Sequence, residues 1–392
     1  MEYCGIIITG TSGSGKTTIA EHICSNQSQF EIVKATTTRQ PRNGIAEPYY
    51  SFINKAEFTQ LEEGKKFITI TKYRDESYGI LLSDFRKVMD SRKIPILIMS
   101  PESTKTPIVI DKSEVFFLSF FIDADDNELT ERLTERDGKT AQKEIASRNK
   151  DRVFKKFSLF FLLSISDKID EIVFLINWLW DFRNTGGVIP HQILVPLVKF
   201  ARLIEPAHNE SISAASYDLT LGTEYFQNGK IKELTNRNPS VLINPGDFII
   251  AQSNENVNLP SSICGRFDLT VSMFCKGLIL SNGPQVDPGY NGKLFCLLFN
   301  TSNNIVELKK DKHYATIEFS KLIEPTDKPY IGKYKDKEQI FLFLPEMAKY
   351  SVTSDLKKQI LLLQKELVLL KYLPIIVSLA ALVIAILKLI EK

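Results

Sequence analysis

Histidine, cysteine and tryptophan are scarce: four His, five Cys and two Trp among 392 residues. No cysteines form a CxxC pair and no histidines stand at metal-ligand spacing. The sequence therefore offers no zinc site, and no zinc-dependent deaminase signature with its His or Cys triad and nearby Glu. A disulfide framework is not expected either. Cys4, Cys24, Cys264, Cys275 and Cys296 are scattered, and the chain opens into Gly5-Ile6-Ile7-Ile8-Thr9 without the basic region or cleavage site of a secretory signal, which predicts cytosolic folded parts. A charge excess of one sign is also missing. Lys and Arg total 49 against 47 Asp and Glu, a net +2, so no global field draws the chain to nucleic acid, and anion binding must be local. Low-complexity tracts and clear internal repeats are absent. What is present is a core-forming composition, 43% apolar and 24% charged. At roughly 150 residues per domain the length predicts two or three folded units.

The signals divide the chain. Residues 1–185 alternate β-branched runs (Ile6 to Thr9, Ile94 to Ser100, Val115 to Ile122) with charged stretches of helical spacing such as Glu128 to Arg152, the α/β pattern of a parallel sheet. Phe157 to Ile165 and Ile172 to Trp180 are apolar but broken by Ser164, Asp167 and Asp170, which predicts buried elements of this first unit. Asn184-Thr185-Gly186-Gly187 punctuates the chain. Residues 188–345 carry strand-length runs between turn signals (Asn244-Pro245-Gly246-Asp247, Asp287-Pro288-Gly289), the texture of an all-β barrel or jelly roll. Over 353–371, Leu356, Ile360, Leu363, Leu367 and Leu370 step as the a/d seam of a short coiled coil, which Pro374 is expected to interrupt. Residues 373–390 carry no charge from Leu373 to Leu387 and read as a C-terminal membrane helix; an oligomerisation helix or a core helix is the alternative.

Gly10-Thr11-Ser12-Gly13-Ser14-Gly15-Lys16-Thr17 fits the P-loop pattern between a predicted strand and a helix. Its glycines allow backbone amides to face a phosphate, with Ser14 and Thr18 in the same segment. Lys16 is expected to reach the β and γ oxygens of ATP, and the Thr17 hydroxyl to hold Mg²⁺.

Downstream lie Thr36-Thr37-Thr38-Arg39-Gln40-Pro41-Arg42-Asn43-Gly44, Tyr49-Tyr50-Ser51-Phe52 and Tyr78-Gly79. With these the first 180 or so residues resemble the guanylate kinase family. The resemblance implies that Arg39, Arg42, Tyr50 and Tyr78 hold the acceptor monophosphate, forked guanidiniums gripping it bidentately. It also implies a lid around Arg132, Arg136 and Arg148, with Arg136 and Arg148 closing over the transferring phosphoryl group; a solvated face paired with Glu131, Glu135 and Glu144 is the alternative. At the family's base-reading positions stand Ala35, Thr69, Ile80 and Ser100, so phosphate capture is kept while guanine reading is mostly lost.

Ala215-Ser216-Tyr217-Asp218-Leu219-Thr220-Leu221-Gly222, Ile243-Asn244-Pro245-Gly246-Asp247-Phe248, Gly277-Leu278 and Val286 to Gly292 resemble the dCTP deaminase/dUTPase superfamily. That implies a homotrimeric distorted β-barrel binding deoxynucleoside triphosphates. At its phosphate-binding positions stand Thr270, Val271, Ser272 and Cys275, with Arg266 four residues early; Leu298 takes the position of the catalytic glutamate. Ser272, Asp287 and Tyr290 are the candidate residues of this second nucleotide site, Asp287 being equally a cap of its own turn. Deamination is expected to be absent.

The sequence thus predicts an α/β P-loop domain, a dUTPase-like β domain, a short coiled coil and a membrane helix. The expected function is an ATP- and Mg²⁺-dependent nucleoside monophosphate kinase anchored to a membrane. The alternative is a membrane-anchored deoxynucleotide sensor, a defence or nucleotide-stress effector without turnover.

Overall fold

The computed structural model describes residues 2–41, 47–73, 75–137, 141–335 and 352–390. In the first half the β-branched runs form a parallel sheet in the order Phe160–Leu163, Ser113–Asp123, Tyr3–Gly10, Ile94–Ile98, Phe30–Ile32. Ile6, Ile8, Ile96, Phe120 and Ile122 are wholly buried, as strands covered on both faces must be. A second sheet pairs Tyr50–Phe52, Ala35–Thr37, Glu76–Leu81 and Phe67–Tyr73 beside the carboxyl ends of the first. Helices Asp126–Asp137 and Ala141–Arg152 fill the charged stretch. The two broken apolar runs are the strand Phe160–Leu163 and the helix Ile169–Asp181, buried as expected.

From Gly187 the pairing turns antiparallel. Nine strands form a curled sheet around Ser216–Gln227, Phe248–Asn258 and His313–Lys321, with a separate pair Ser240–Ile243 and Val306–Lys309. From Gly292 onward the strand Asn291–Asn300 alternates strictly between buried and half-buried positions, the period of two of a strand with one face on the core.

The halves are joined by more than a linker. The helices Ile169–Asp181 and His191–Phe200 pack on each other, and one apolar core runs from the parallel sheet through both helices into the β half. On the side of the first half, Trp180 anchors its helix to the parallel sheet by meeting Phe30 edge-on with centroids 5.6 Å apart, a geometry worth about 1 kcal/mol beyond its burial. The connecting turn is tied to the last long strand by the Lys321 ammonium, which donates to the carbonyls of Arg183 (3.2 Å) and Thr185 (2.6 Å). Lys321 is buried, and desolvation lowers its pKa from the ordinary lysine value.

Pro374 does not end the C-terminal helix. A single helix spans Val352–Ile390 with the proline inside it, and the Ser378 hydroxyl donates to the Pro374 carbonyl at 2.8 Å. A proline removes one amide donor and bends a helix without always breaking it. The stretch Gln359–Ile384 is long and apolar enough, by length and composition, to cross a membrane.

Candidate functional site

The phosphate loop joins the strand Tyr3–Gly10 to the helix Lys16–Asn26. Gly10, Gly13 and Gly15 have φ of +138°, +82° and +83°, in the region that disfavours any side chain. At Gly10 a Cβ would also lie 1.8 Å from the Ile122 carbonyl oxygen. Gly15 caps the helix without a side-chain bond, and the first turn holds no acid, so the positive end of the dipole stays open to an anion. The amides of Gly13 and Gly15 donate to no group among the described residues. Ser14 Oγ is buried without a partner. Thr17, half-buried in the first helical turn, suits a hydroxyl ligand for Mg²⁺, while Thr18 is exposed. Glycine cradle, orphaned hydroxyl and uncapped helix fit a magnesium-bound polyphosphate. Lys16 folds over this loop, its ammonium donating to the carbonyls of Gly10 (3.0 Å) and Thr11 (2.6 Å).

Lys16 opens on a cleft that brings the two predicted groups together. Gly10, Ser12 and Lys16 line it together with Tyr50 and Tyr78 and with Ala35, Thr69, Ile80 and Ser100. Ser103 stands between Ser100 Oγ (2.8 Å) and the Thr71 hydroxyl. Tyr73 donates to Asp151 at 3.3 Å. Both Tyr73 and Asp151 line the cleft.

The arginines separate. Arg39 holds Glu47 bidentately at 2.7 Å on both branches, with the rings of Tyr50 and Phe52 at 4.7 and 5.2 Å from its guanidinium. Burial, the largest single influence, opposes its charge, but the Glu47 hydrogen bonds and the negative charge of Glu47, with Tyr78 and Tyr50, together raise its pKa above the ordinary arginine value. A carboxylate thus sits on the fork assigned to the acceptor phosphate. Arg42 lies outside the described residues. Arg136 reaches the phosphate loop, its Nη2 3.5 Å from Ser12 Oγ, and Arg132 lies 3.4 Å from the Gly13 carbonyl. Arg148 departs from its expected place over the phosphoryl group. Its guanidinium donates to the Asp126 carbonyl (2.8 Å) and Thr130 Oγ1 (3.3 Å) and pairs with the Asp126 carboxylate, because Asp126 opens the neighbouring helix.

Two residues absent from the sequence reading anchor this region. Asp123, ending the strand Ser113–Asp123, accepts from Thr11 Oγ1 of the loop at 2.8 Å and from Arg152 Nε at 2.7 Å. Arg152 also bonds Asp126 at 2.8 Å. Burial works against its charge, and the bonds to Asp123 and Asp126 more than compensate, raising its pKa. An acid closing an apolar strand beside a phosphate loop is the signal that marks Asp123.

In the β half a cavity of about 430 Å³ is lined by Asp287, Tyr290 and Leu297 among others. Ser272 is not among its lining residues; it lies on the helix Val271–Cys275, its hydroxyl 3.1 Å from that of Thr270. Leu298 is wholly buried in the core, and its neighbour Leu297 faces the cavity instead. Leu294, Phe295 and Cys296 line the cavity with it. Among the described residues no glutamate lines this cavity.

Comparison with known proteins agrees with both halves. The guanylate kinase family matches residues 4–177, and the dCTP deaminase-like family matches residues 192–322. A dCTP deaminase of Thermococcus kodakarensis is 38% identical over 140 residues, 36% of this chain and 89% of that protein. One of Pyrococcus horikoshii is 36% identical over 138 residues, 35% of this chain and 87% of that protein. The crystal structure of guanylate kinase from Anaplasma phagocytophilum aligns with a TM-score of 0.35 at 14% identity, covering 46% of this chain and 85% of that one. The chain belongs to the dCTP deaminase-like family through its second half, and its first half is a guanylate kinase-like domain.

Proposed function

We propose that the first half, residues 1–185, is an ATP-dependent nucleoside monophosphate kinase with an acceptor base other than guanine. The observation that carries this reading is the single cleft in which Lys16 and the phosphate loop face Tyr50 and Tyr78. The glycine cradle holds the donor phosphates, Lys16 neutralises the transferring group, and Arg136 adds charge from the side of Ser12. Mg²⁺, held through Thr17, supplies further neutralisation of the β and γ oxygens when bound. Tyr50, Tyr78 and Arg39 hold the acceptor phosphate, which must displace Glu47 from the Arg39 fork. Arg42 joins them as a proposed ligand, and Arg148 is a lid residue that must leave Asp126 to act. At the base end, hydroxyls of Thr69 and Ser100 replace fixed acceptors. Guanine, whose N1 and N2 are donors, is then read poorly.

The β half, residues 188–345, assembles as a homotrimer in this reading and lacks deaminase activity, since neither Leu297 nor Leu298 can shuttle a proton. The coiled coil 353–371 and the apolar helix 373–390 hold the cytosolic domains at a membrane. The test incubates full-length protein in detergent with Mg·ATP and a panel of ribo- and deoxynucleoside monophosphates and follows ADP, with Lys16→Ala as control. Acceptor-dependent ADP that vanishes in the variant supports the kinase. No turnover with any acceptor discards it in favour of a membrane-anchored nucleotide sensor. The second cavity, without a glutamate among its described lining residues, and the apolar helix favour that second reading.

A further inference from the structure

We infer that the short turn Val153–Phe157 of the first half is a membrane contact, resting on an anionic lipid surface beside the cleft. The inference depends on the reading of the C-terminal helix as a membrane anchor and goes beyond it, since an anchor alone leaves open which face of the first half meets the bilayer.

Val153-Phe154-Lys155-Lys156-Phe157 forms one 3-10 turn after the helix Ala141–Arg152, and none of its residues is buried. Val153 is 60% exposed and Phe157 41%. Two large apolar side chains of this turn are thus given to water. The rings of Phe154 and Phe157 lie with centroids 6.3 Å apart, and lysines surround them. Lys105 stands 4.6 Å over the Phe154 ring, Lys156 5.2 Å over that of Phe157, and Lys155 4.5 Å over that of Phe161. All three lysines are exposed. Glu102 pairs with Lys105 at 3.5 Å, while Lys155 and Lys156 have no ion pair among the described residues.

Exposed apolar groups between lysines suit a bilayer boundary. The rings and the Val153 side chain enter the acyl edge, and the ammonium groups stay at the level of the anionic headgroups. The chain carries its own route to such a surface, because Gln359–Ile384 is long and apolar enough to cross a membrane. The described fold ends at Lys335, and the helix starts at Val352. The segment between them spans at most roughly 55 Å even when fully extended, so an inserted tail keeps the turn at high local concentration near the lipid. The contact also borders the cleft. The turn packs on the segment Pro101–Lys105, and Pro101, Ser103 and Asp151 line the cleft.

The test inserts the full-length protein through its tail into vesicles of phosphatidylcholine, alone or with about a third phosphatidylserine, and checks insertion by flotation. Acetylation of lysines by a water-soluble active ester is then followed by mass spectrometry. Lys105, Lys155 and Lys156 should react about threefold or more slowly on the phosphatidylserine vesicles than on the neutral ones. Lys230, exposed in the β half, should react equally on both. The double variant Val153→Ser, Phe157→Ser changes two exposed side chains, keeps every lysine, and should abolish the difference. The inference is overturned if the three lysines react alike on both vesicles, or if Lys230 is slowed as much as they are. It is also overturned if the double variant keeps the full difference, which would mean attraction by charge without apolar contact. A protein that floats with neither vesicle refutes the anchor, and the inference falls with it; flotation without protection of the lysines refutes the inference alone.

Discussion

The two cavities of this chain handle charge in opposite ways. The first is built on a lysine folded over an uncapped helix start, with Arg136 at its edge. The second is a box of aromatic rings with a single carboxylate. Both sit on domains related to nucleotide-handling proteins, yet Lys16 lines the first cleft while, among the described residues, no Lys or Arg lines the second. Packing and charge are carried by different residues, so two such domains can differ in one while sharing the other.

The sharpest way to break this contrast is Lys16→Ala. Loss of a charge aimed at the transferring group should lower ADP formation about a thousandfold or more. Next, Arg136→Ala should lower kcat about a hundredfold, and Arg148→Ala less than tenfold, since Arg148 is engaged with Asp126. Equal losses in single-turnover kinetics would show that Arg148 swings into the cleft. A smaller effect of opposite sign is expected from Glu47→Gln. Releasing the Arg39 fork from its carboxylate should lower the KM for the acceptor by about three- to tenfold, with kcat little changed. An unchanged KM would make Arg39 a structural clamp.

The smallest effect concerns the β half's interior. Glu255 is wholly buried and accepts from the Thr220 hydroxyl (2.7 Å) and amide (3.0 Å). Burial raises its pKa above the ordinary 4.5 despite those bonds. The folded chain therefore holds this proton at pH values where the unfolded chain has lost it. Its contribution is full below about pH 4.5 and fades as pH rises through the raised value. Urea unfolding across that window should show stability falling with pH, and Glu255→Gln should flatten the slope.

The phosphate loop was legible because its chemistry is local: three glycines, a lysine and a threonine at fixed spacing on one contiguous segment. The sequence also marked both sheets, through β-branched runs in one half and turn-punctuated alternation in the other. Arg148 was misplaced because an arginine's destination is set by whichever acid tertiary packing brings near it, here Asp126. Glu47 on the Arg39 fork and the Asp123–Arg152 pair were missed for the same reason. Pro374 carried a real local preference, which the long apolar helix overrode.

The Trp180 corner has a practical corollary for anyone dissecting this chain. A protease site engineered at Gly186 would cut the peptide without parting the pieces, since the helices Ile169–Asp181 and His191–Phe200 pack on each other and separation would bare part of their shared apolar core to water. The cleaved halves should co-elute and melt together, and either one expressed alone should aggregate.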